Sequence, residues 1–252
     1  MRLFNSLSVI LLSFLMLSPS TYAEEVYAAV ASNFTIAMKD IAKQYEEESG
    51  NKVVLSFGSS GKFFAQIQHG APFQVFLSAD QNKPDALEKA GFVVPNSRFT
   101  YAIGALALWS AKPDFIHNND ARLKSGDFNK LALANPKLAP YGVAATEVLQ
   151  SLGLTESTKS KWVMGENISQ TYQFASTGNA DLGFVALSQI MSKGHIEKGS
   201  SWIIPTDQYS PIRQDAVLLK SAENSTAAKG LLDYLRSDKA RNIIHSYGYK
   251  TE

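Results

Sequence analysis

From Glu25 onward, short apolar runs alternate with stretches whose apolar residues recur at helical spacing. That is the pattern of βα units around a mainly parallel sheet. VYAAVAS (26–32) predicts a first strand, and NFTIAMKDIAKQYEEESG (33–50) predicts a helix with Phe34, Ala37, Met38, Ile41, Ala42 and Tyr45 on one face, stopped by Gly50. A strand at 52–57, a short helix at 62–70 and a third strand at 73–80 follow. The third strand ends in Asp80, placed to cap a helix over 84–90.

The run YAIGALALWSA (101–111) predicts one long strand, followed by a polar stretch at 112–129 and a second series. That series comprises a strand at 130–136, a helix at 143–153, a strand at 161–165, a helix at 169–179 and strands at 181–189 and 201–205. A long strand at 213–220 and closing helical segments within 227–249 complete the chain. The expected architecture is α/β with two lobes, the first discontinuous (24–104 plus 212–252) and the second at 105–211, joined by crossing strands near 100–108 and 210–218. No internal repeat, low-complexity tract or Pro-rich linker separates the lobes, so the joint should be a hinge rather than a flexible tether.

Residues 1–23 read differently: Arg2 precedes an apolar run from Leu7 to Leu17, then Ser-Pro-Ser and the small-residue site Thr21-Tyr22-Ala23. This is the pattern of a cleavable secretory signal peptide, with cleavage expected after Ala23. Its apolar core is well short of the roughly 20 residues of a membrane span. The expected location of the mature chain is therefore extracytoplasmic. The sequence of 252 residues is 45% hydrophobic and 19% charged, ordinary globular composition. It contains no cysteine, which excludes disulfides, thiolate ligands, cysteine nucleophiles and a lipid-modified cysteine anchor. Without residues 1–23 the chain loses one base and no acid, leaving 23 of each. Nucleic acid and anionic membranes are poor partners for such a neutral surface.

The candidate chemistry centres on SFGSSGKFF (56–64), which follows one expected strand and opens an expected helix. Main-chain amides at a helix start bind anions, glycines allow close approach, and Ser59 and Ser60 add uncharged donors. The spacing excludes a phosphate-binding GxxxxGK[ST] loop. Taken alone, the stretch is most simply a capped βα turn, and Lys62 an exposed first-turn lysine. The arrangement recurs, however: Ser32 and Asn33 end the first strand, Pro140, Tyr141 and Gly142 precede one helix, and Asn167 and Ile168 precede another. Ligands of open α/β sheets sit at such C-terminal strand edges. A serine hydrolase does not fit, because GSSG is not the GxSxG elbow and His69, His117, His195 and His245 are scattered. The same scatter argues against a metal site.

The segments AVASNF, SFGSSGK, GAPFQVFLSAD, APYGVAATEVL and GENISQTYQFASTGNADLGFVAL resemble, in order and spacing, the molybdate-binding proteins that serve ABC transporters. The likeness runs from about Ala28 to the closing helices. It implies a type II periplasmic binding fold of two lobes, each a mixed, mainly parallel sheet flanked by helices, with two hinge strands. It also implies a monomeric, non-enzymatic periplasmic carrier that needs no cofactor, holds molybdate or tungstate through neutral hydrogen-bond donors, and delivers it to a membrane permease. By matching motifs, the ligand contacts fall on Ser32, Asn33, Ser60, Tyr141 and the amide of Ile168, between neighbours Asn167 and Ser169. Some members place a tyrosine near the ligand where this chain has Ala186, which offers no side-chain donor. Another tetrahedral oxyanion, such as sulfate, is the alternative cargo.

Overall fold

The computed structural model describes residues 23–117, 119–196 and 198–252; the expected signal peptide, apart from Ala23, lies outside them. The chain first lays down β1 (Glu25–Ala31), α1 (Thr35–Ser49), β2 (Lys52–Gly58), α2 (Ser60–Gln68), β3 (Val75–Leu77), α3 (Asn82–Lys89) and β4 (Phe99–Gly104). It then crosses into β5 (Leu106–Ser110), α4 (Ala121–Ser125), β6 (Leu131–Ala134), α5 (Pro140–Ser151), α6 (Thr155–Thr158), β7 (Trp162–Gly165), α7 (Ile168–Ser176) and β8 (Leu182–Ala186). A small hairpin of β9 (Met191–Ser192) and β10 (His195–Ile196) leads to β11 (Ser200–Ile203). The chain returns through β12 (Ile212–Leu218) and ends in α8 (Thr226–Leu235) and α9 (Asp238–Ser246).

Two mixed sheets result, one ordered β2-β1-β3-β12-β4 and the other β11-β5-β8-β6-β7. In the first, β1 pairs in parallel with β2 and β3, and β12 runs antiparallel to β3 and β4. In the second, β6 pairs in parallel with β7 and β8, and β5 runs antiparallel to β8 and β11. The antiparallel pairings belong to strands next to the two crossings. The parallel strands end level, Ala31 opposite Gly58 in one sheet and Ala134 opposite Gly165 in the other. Their following loops therefore emerge side by side, at the edge where such sheets hold ligands.

The helix over 33–50 forms as its pattern predicts: Ala37, Met38, Ile41, Ala42 and Tyr45 are all buried, and Gly50 closes α1 at a φ of +75°. Phe34 is fully buried and meets Tyr101 and Tyr249 edge-on, with ring centroids 4.8 and 5.3 Å away. This aromatic trio joins the start of α1, a strand before the crossing and the C-terminal segment into one core.

The run at 101–111 is not one strand. β4 and β5 belong to different sheets with only Ala105 between them. Both are largely buried, so side-chain alternation carried no mark of the change of sheet. The strand expected at 181–189 stops at Ala186, where the Gln189 side chain accepts the Ala186 N–H at 2.9 Å and a 3₁₀ turn follows. The polar stretch at 112–129 contains the short α4. Asp80 accepts the Lys83 main-chain N–H at 3.2 Å and so serves the start of α3.

Gly104 ends β4 where the chain changes sheets, and a Cβ there would stand 2.1 Å from the Tyr141 hydroxyl and 2.6 Å from Gln214 Nε2. Gly104→Ala is expected to lower stability by about 1–3 kcal/mol or more through overpacking. Chemical denaturation checks this; an unchanged midpoint would contradict the tight crossing.

Candidate functional site

Four loops meet between the sheets. Ser32 and Asn33 after β1, Ser59 and Ser60 at the start of α2, Pro140 and Tyr141 at the start of α5, and Asn167 and Ile168 at the start of α7 line one pocket. Ala31, Gly58, Ala79 and Ala139 complete the lining, which holds no charged side chain. All five residues that the sequence singles out as ligand contacts are here and buried. The interior open to the centre of a water-sized sphere is about 10 Å³, room for about one such sphere. That space has no room for a sugar or an amino acid. A groove of about 370 Å³ adjoins the pocket at Ala79 and Pro140, but its lining includes Asp80 and Glu147 beside Lys83 and Arg213. Its carboxylates make it a poor seat for an anion.

The helix starts explain what the pocket offers. The first N–H groups of a helix have no partner inside it. In α2, Ser59 caps the Lys62 amide at 3.4 Å, its carbonyl takes the Phe63 amide, and the Gly61 amide donates to Leu138 O at 2.9 Å. In α5, Pro140 has no N–H, Ala139 offers no side-chain cap, and its carbonyl takes the Gly142 and Val143 amides. In α7, the Asn167 side chain caps the Gln170 amide at 3.0 Å and its carbonyl takes the Thr171 amide. Among the described residues this leaves the Ser60, Tyr141, Ile168 and Ser169 amides without a backbone or cap partner. Ile168 lines the pocket, whereas the Ser169 hydroxyl reaches across to donate to Ser32 O at 3.1 Å.

The hydroxyls fit the same picture. Ser60 Oγ accepts the Ala79 N–H at 2.9 Å, which leaves its own proton to donate. Ser59 serves as the N-cap, the simpler of the two roles considered for it. Asn33 differs: its side-chain amide donates to Gln214 Oε1 at 2.7 Å and to the Tyr249 hydroxyl at 3.0 Å. Its side chain therefore has no hydrogen left for the pocket, and only its main chain can serve there. Lys62 pairs with Glu166 of the opposite lobe at 2.6 Å, both about half exposed, and does not line the pocket. The four histidines are all exposed, and among the described residues no group of three or more His, Asp or Glu side chains is placed to hold a metal.

Behind the pocket lies a buried polar network that left little trace in the residue pattern. Gln214, Tyr101, Ser188 and Tyr249 surround Asn33, with Tyr249 OH donating to Asn33 O at 2.8 Å and Ser188 Oγ to the same oxygen at 2.9 Å. The available hint was the buried polar pair Gln214-Asp215, which follows exposed Arg213 in a strand that is otherwise apolar. Tyr249 comes from the chain end and carried no sign of its role. Ala186 is buried at the end of β8 and lies outside the lining, and the tyrosine bonded to Asn33, Tyr249, comes from the chain end.

The sequence matches the family described as bacterial extracellular solute-binding protein over residues 26–250. It is 55% identical over 234 residues to the molybdate-binding protein ModA of Azotobacter vinelandii, covering 93% of each chain. It is 52% identical over 230 residues to that of Rhodobacter capsulatus, covering 91% of this chain and 90% of the relative. Among solved structures, the Azotobacter vinelandii periplasmic molybdate-binding protein superposes with a TM-score of 0.88 at 40% identity, over 90% of this chain and 99% of that one.

Burial pushes the hydroxyls of Tyr101, Tyr141 and Tyr249 well above the usual tyrosine range. An unfolded chain releases these protons near pH 10 while the folded one keeps them, so the unfolded state binds fewer protons and stability falls as pH rises past 10. Denaturation midpoints should be flat from this source below about pH 9. They should then drop by up to about 1.4 kcal/mol per pH unit for each such tyrosine. A curve still flat at pH 11 would show that these hydroxyls are not sequestered.

Proposed function

Because this chain belongs to the bacterial extracellular solute-binding protein family, we propose that it captures molybdate between its lobes and hands it to the membrane permease of an ABC transporter. The observation that carries this reading is the uncharged pocket at four helix starts, lined by donors and too small for an organic solute. The relatives named as molybdate-binding proteins support the choice of cargo. Tungstate has the same charge and tetrahedral shape and should be accepted as well. The carrier acts in the periplasm as a monomer, without cofactor and without catalysis; the periplasmic setting follows that of the Azotobacter vinelandii periplasmic molybdate-binding protein.

The proposed contacts are the Ser32 and Ser60 hydroxyls and the main-chain amides of Asn33, Ser60, Tyr141 and Ile168. Hydrogen bonds to an ion contribute roughly 1.5–3 kcal/mol each. Four or five of them, aided by helix termini, exceed the roughly 8 kcal/mol of micromolar affinity before the costs of ordering. No cationic side chain is required. A lining of donors also disfavours a protonated phosphate, whose O–H would find no acceptor, at about 1–3 kcal/mol. Sulfate is fully ionised too, so the larger molybdate must be selected by cavity size.

Closure supplies delivery. Gly61 N–H to Leu138 O, Ser169 Oγ to Ser32 O and the Lys62–Glu166 pair all join residues of one lobe to residues of the other. A loaded, closed carrier would present these rims as one surface.

Calorimetric titration should give one-to-one molybdate binding that excess sulfate does not displace, and Ser60→Ala should weaken it about 10- to 150-fold, the loss of one ion-directed hydrogen bond. Equal competition by sulfate would assign the cargo to that ion instead. A Cβ at residue 61 would stand 3.0 Å from the Leu138 main chain. Gly61→Ala should therefore weaken molybdate binding by hindering closure while leaving the denaturation midpoint of the ligand-free protein within about 0.5 kcal/mol. Wild-type affinity in that variant would remove the Gly61–Leu138 contact from the closing step.

A further inference from the structure

Gln214 does not line the pocket, yet it is bonded to both of its walls. It is fully buried on β12, the strand by which the chain returns to the first sheet. Its Oε1 accepts from Asn33 Nδ2 at 2.7 Å and from the Tyr101 hydroxyl at 3.0 Å. Its Nε2 donates to the Tyr141 hydroxyl at 3.2 Å. Asn33 follows β1 in one lobe, and Tyr141 opens α5 in the other. One primary amide therefore holds the two sides of the pocket at a fixed spacing.

Local geometry shows how closely this amide is held. The pairing of β12 with β4 shifts register between Gln214 and Asp215, and such irregularities re-aim side chains beside functional sites. Gln214 and Asp215 are consequently both buried, although Asp215 is bonded to Thr100 at 2.7 Å and takes no part in the Asn33 network. Gly104 leaves the space in which Gln214 Nε2 and the Tyr141 hydroxyl meet. The chemistry required is one acceptor shared by two donors plus one donor for a hydroxyl. A glutamine amide supplies both; a glutamate has no N–H, and a methionine has neither group.

We propose that Gln214 is a positioning residue for oxyanion binding, fixing Asn33 and the start of α5 so that their main-chain N–H groups reach the same ion. This rests on the molybdate reading given above. Gln214 touches no ligand atom in this scheme. Its effect should appear in how long the ion stays, because the entry path is unaltered and only the grip is loosened.

The test is the rate of molybdate dissociation, measured by rapid mixing with excess tungstate, for the full mature chain and the variants Gln214→Met, Tyr141→Phe and the double substitution. Tyr141→Phe cuts the same link from the other side and keeps the main-chain amide. Tyr141→Phe should raise the dissociation rate about 3- to 10-fold, as expected for one internal hydrogen bond, and Gln214→Met, which also removes the bonds from Asn33 and Tyr101, by at least as much, with the association rate nearly unchanged in both. The double variant should be no faster than Gln214→Met alone, since that substitution already removes the bond that Tyr141→Phe cuts. A mere loss of stability would lower the melting temperature without this rate pattern. Additive effects, or a folded Gln214→Met protein that releases molybdate at the wild-type rate, would overturn the proposal. If Gln214→Met does not fold, wild-type release from Tyr141→Phe overturns it equally. Absence of molybdate binding by the wild-type chain would instead overturn the carrier reading.

Discussion

Main-chain N–H groups gathered in one buried place are the constraint on which this structure turns. A buried donor without a partner costs about 1–3 kcal/mol, and folded proteins arrange for nearly all such groups to be paired. Here the helix starts at Ser60, Tyr141 and Ile168 bring unpaired amides to a single pocket, and two of the four starts follow an alanine, which cannot cap. Amides left open in this way suit a guest that accepts several hydrogen bonds at once. A small oxyanion meets that demand with its oxygens, and the helix dipoles favour its charge.

The geometry follows from strand register. Parallel strands that end level put their following loops in a row, and each sheet contributes two such loops to the pocket. The strands next to the crossings run the other way, which lets the chain leave one sheet at Gly104 and return to it at Ile212. The Lys62–Glu166 pair is half exposed, so its contribution is small, of order 0–1 kcal/mol. The main-chain bond from Gly61 to Leu138 is the more exacting contact, because it needs the two backbones to touch.

Behind the pocket, the network of Asn33, Gln214, Tyr101, Tyr141, Ser188 and Tyr249 is polar yet fully enclosed. Such a network is favourable only when its members are satisfied, and it then fixes a single arrangement. Asn33 illustrates the division of labour. Its side chain faces the network and its position lines the pocket, so the cleft wall and its support are one residue.

Legible in the residue order were the α/β class, the helix face from Phe34 to Tyr45, and the placement of Ser32, Ser60, Tyr141 and Ile168 at strand-to-helix turns. These are local properties: periodicity and turn chemistry depend on residues within a few positions of one another. Folding settled that the run at 101–111 divides between two sheets, that the side chain of Asn33 turns away from the pocket, and that Lys62 meets Glu166. It alone brought Gln214 and Tyr249 to Asn33, 181 and 216 positions away in the chain. No local pattern encodes such pairs, because a buried polar side chain takes its role from whichever donor or acceptor the fold delivers beside it.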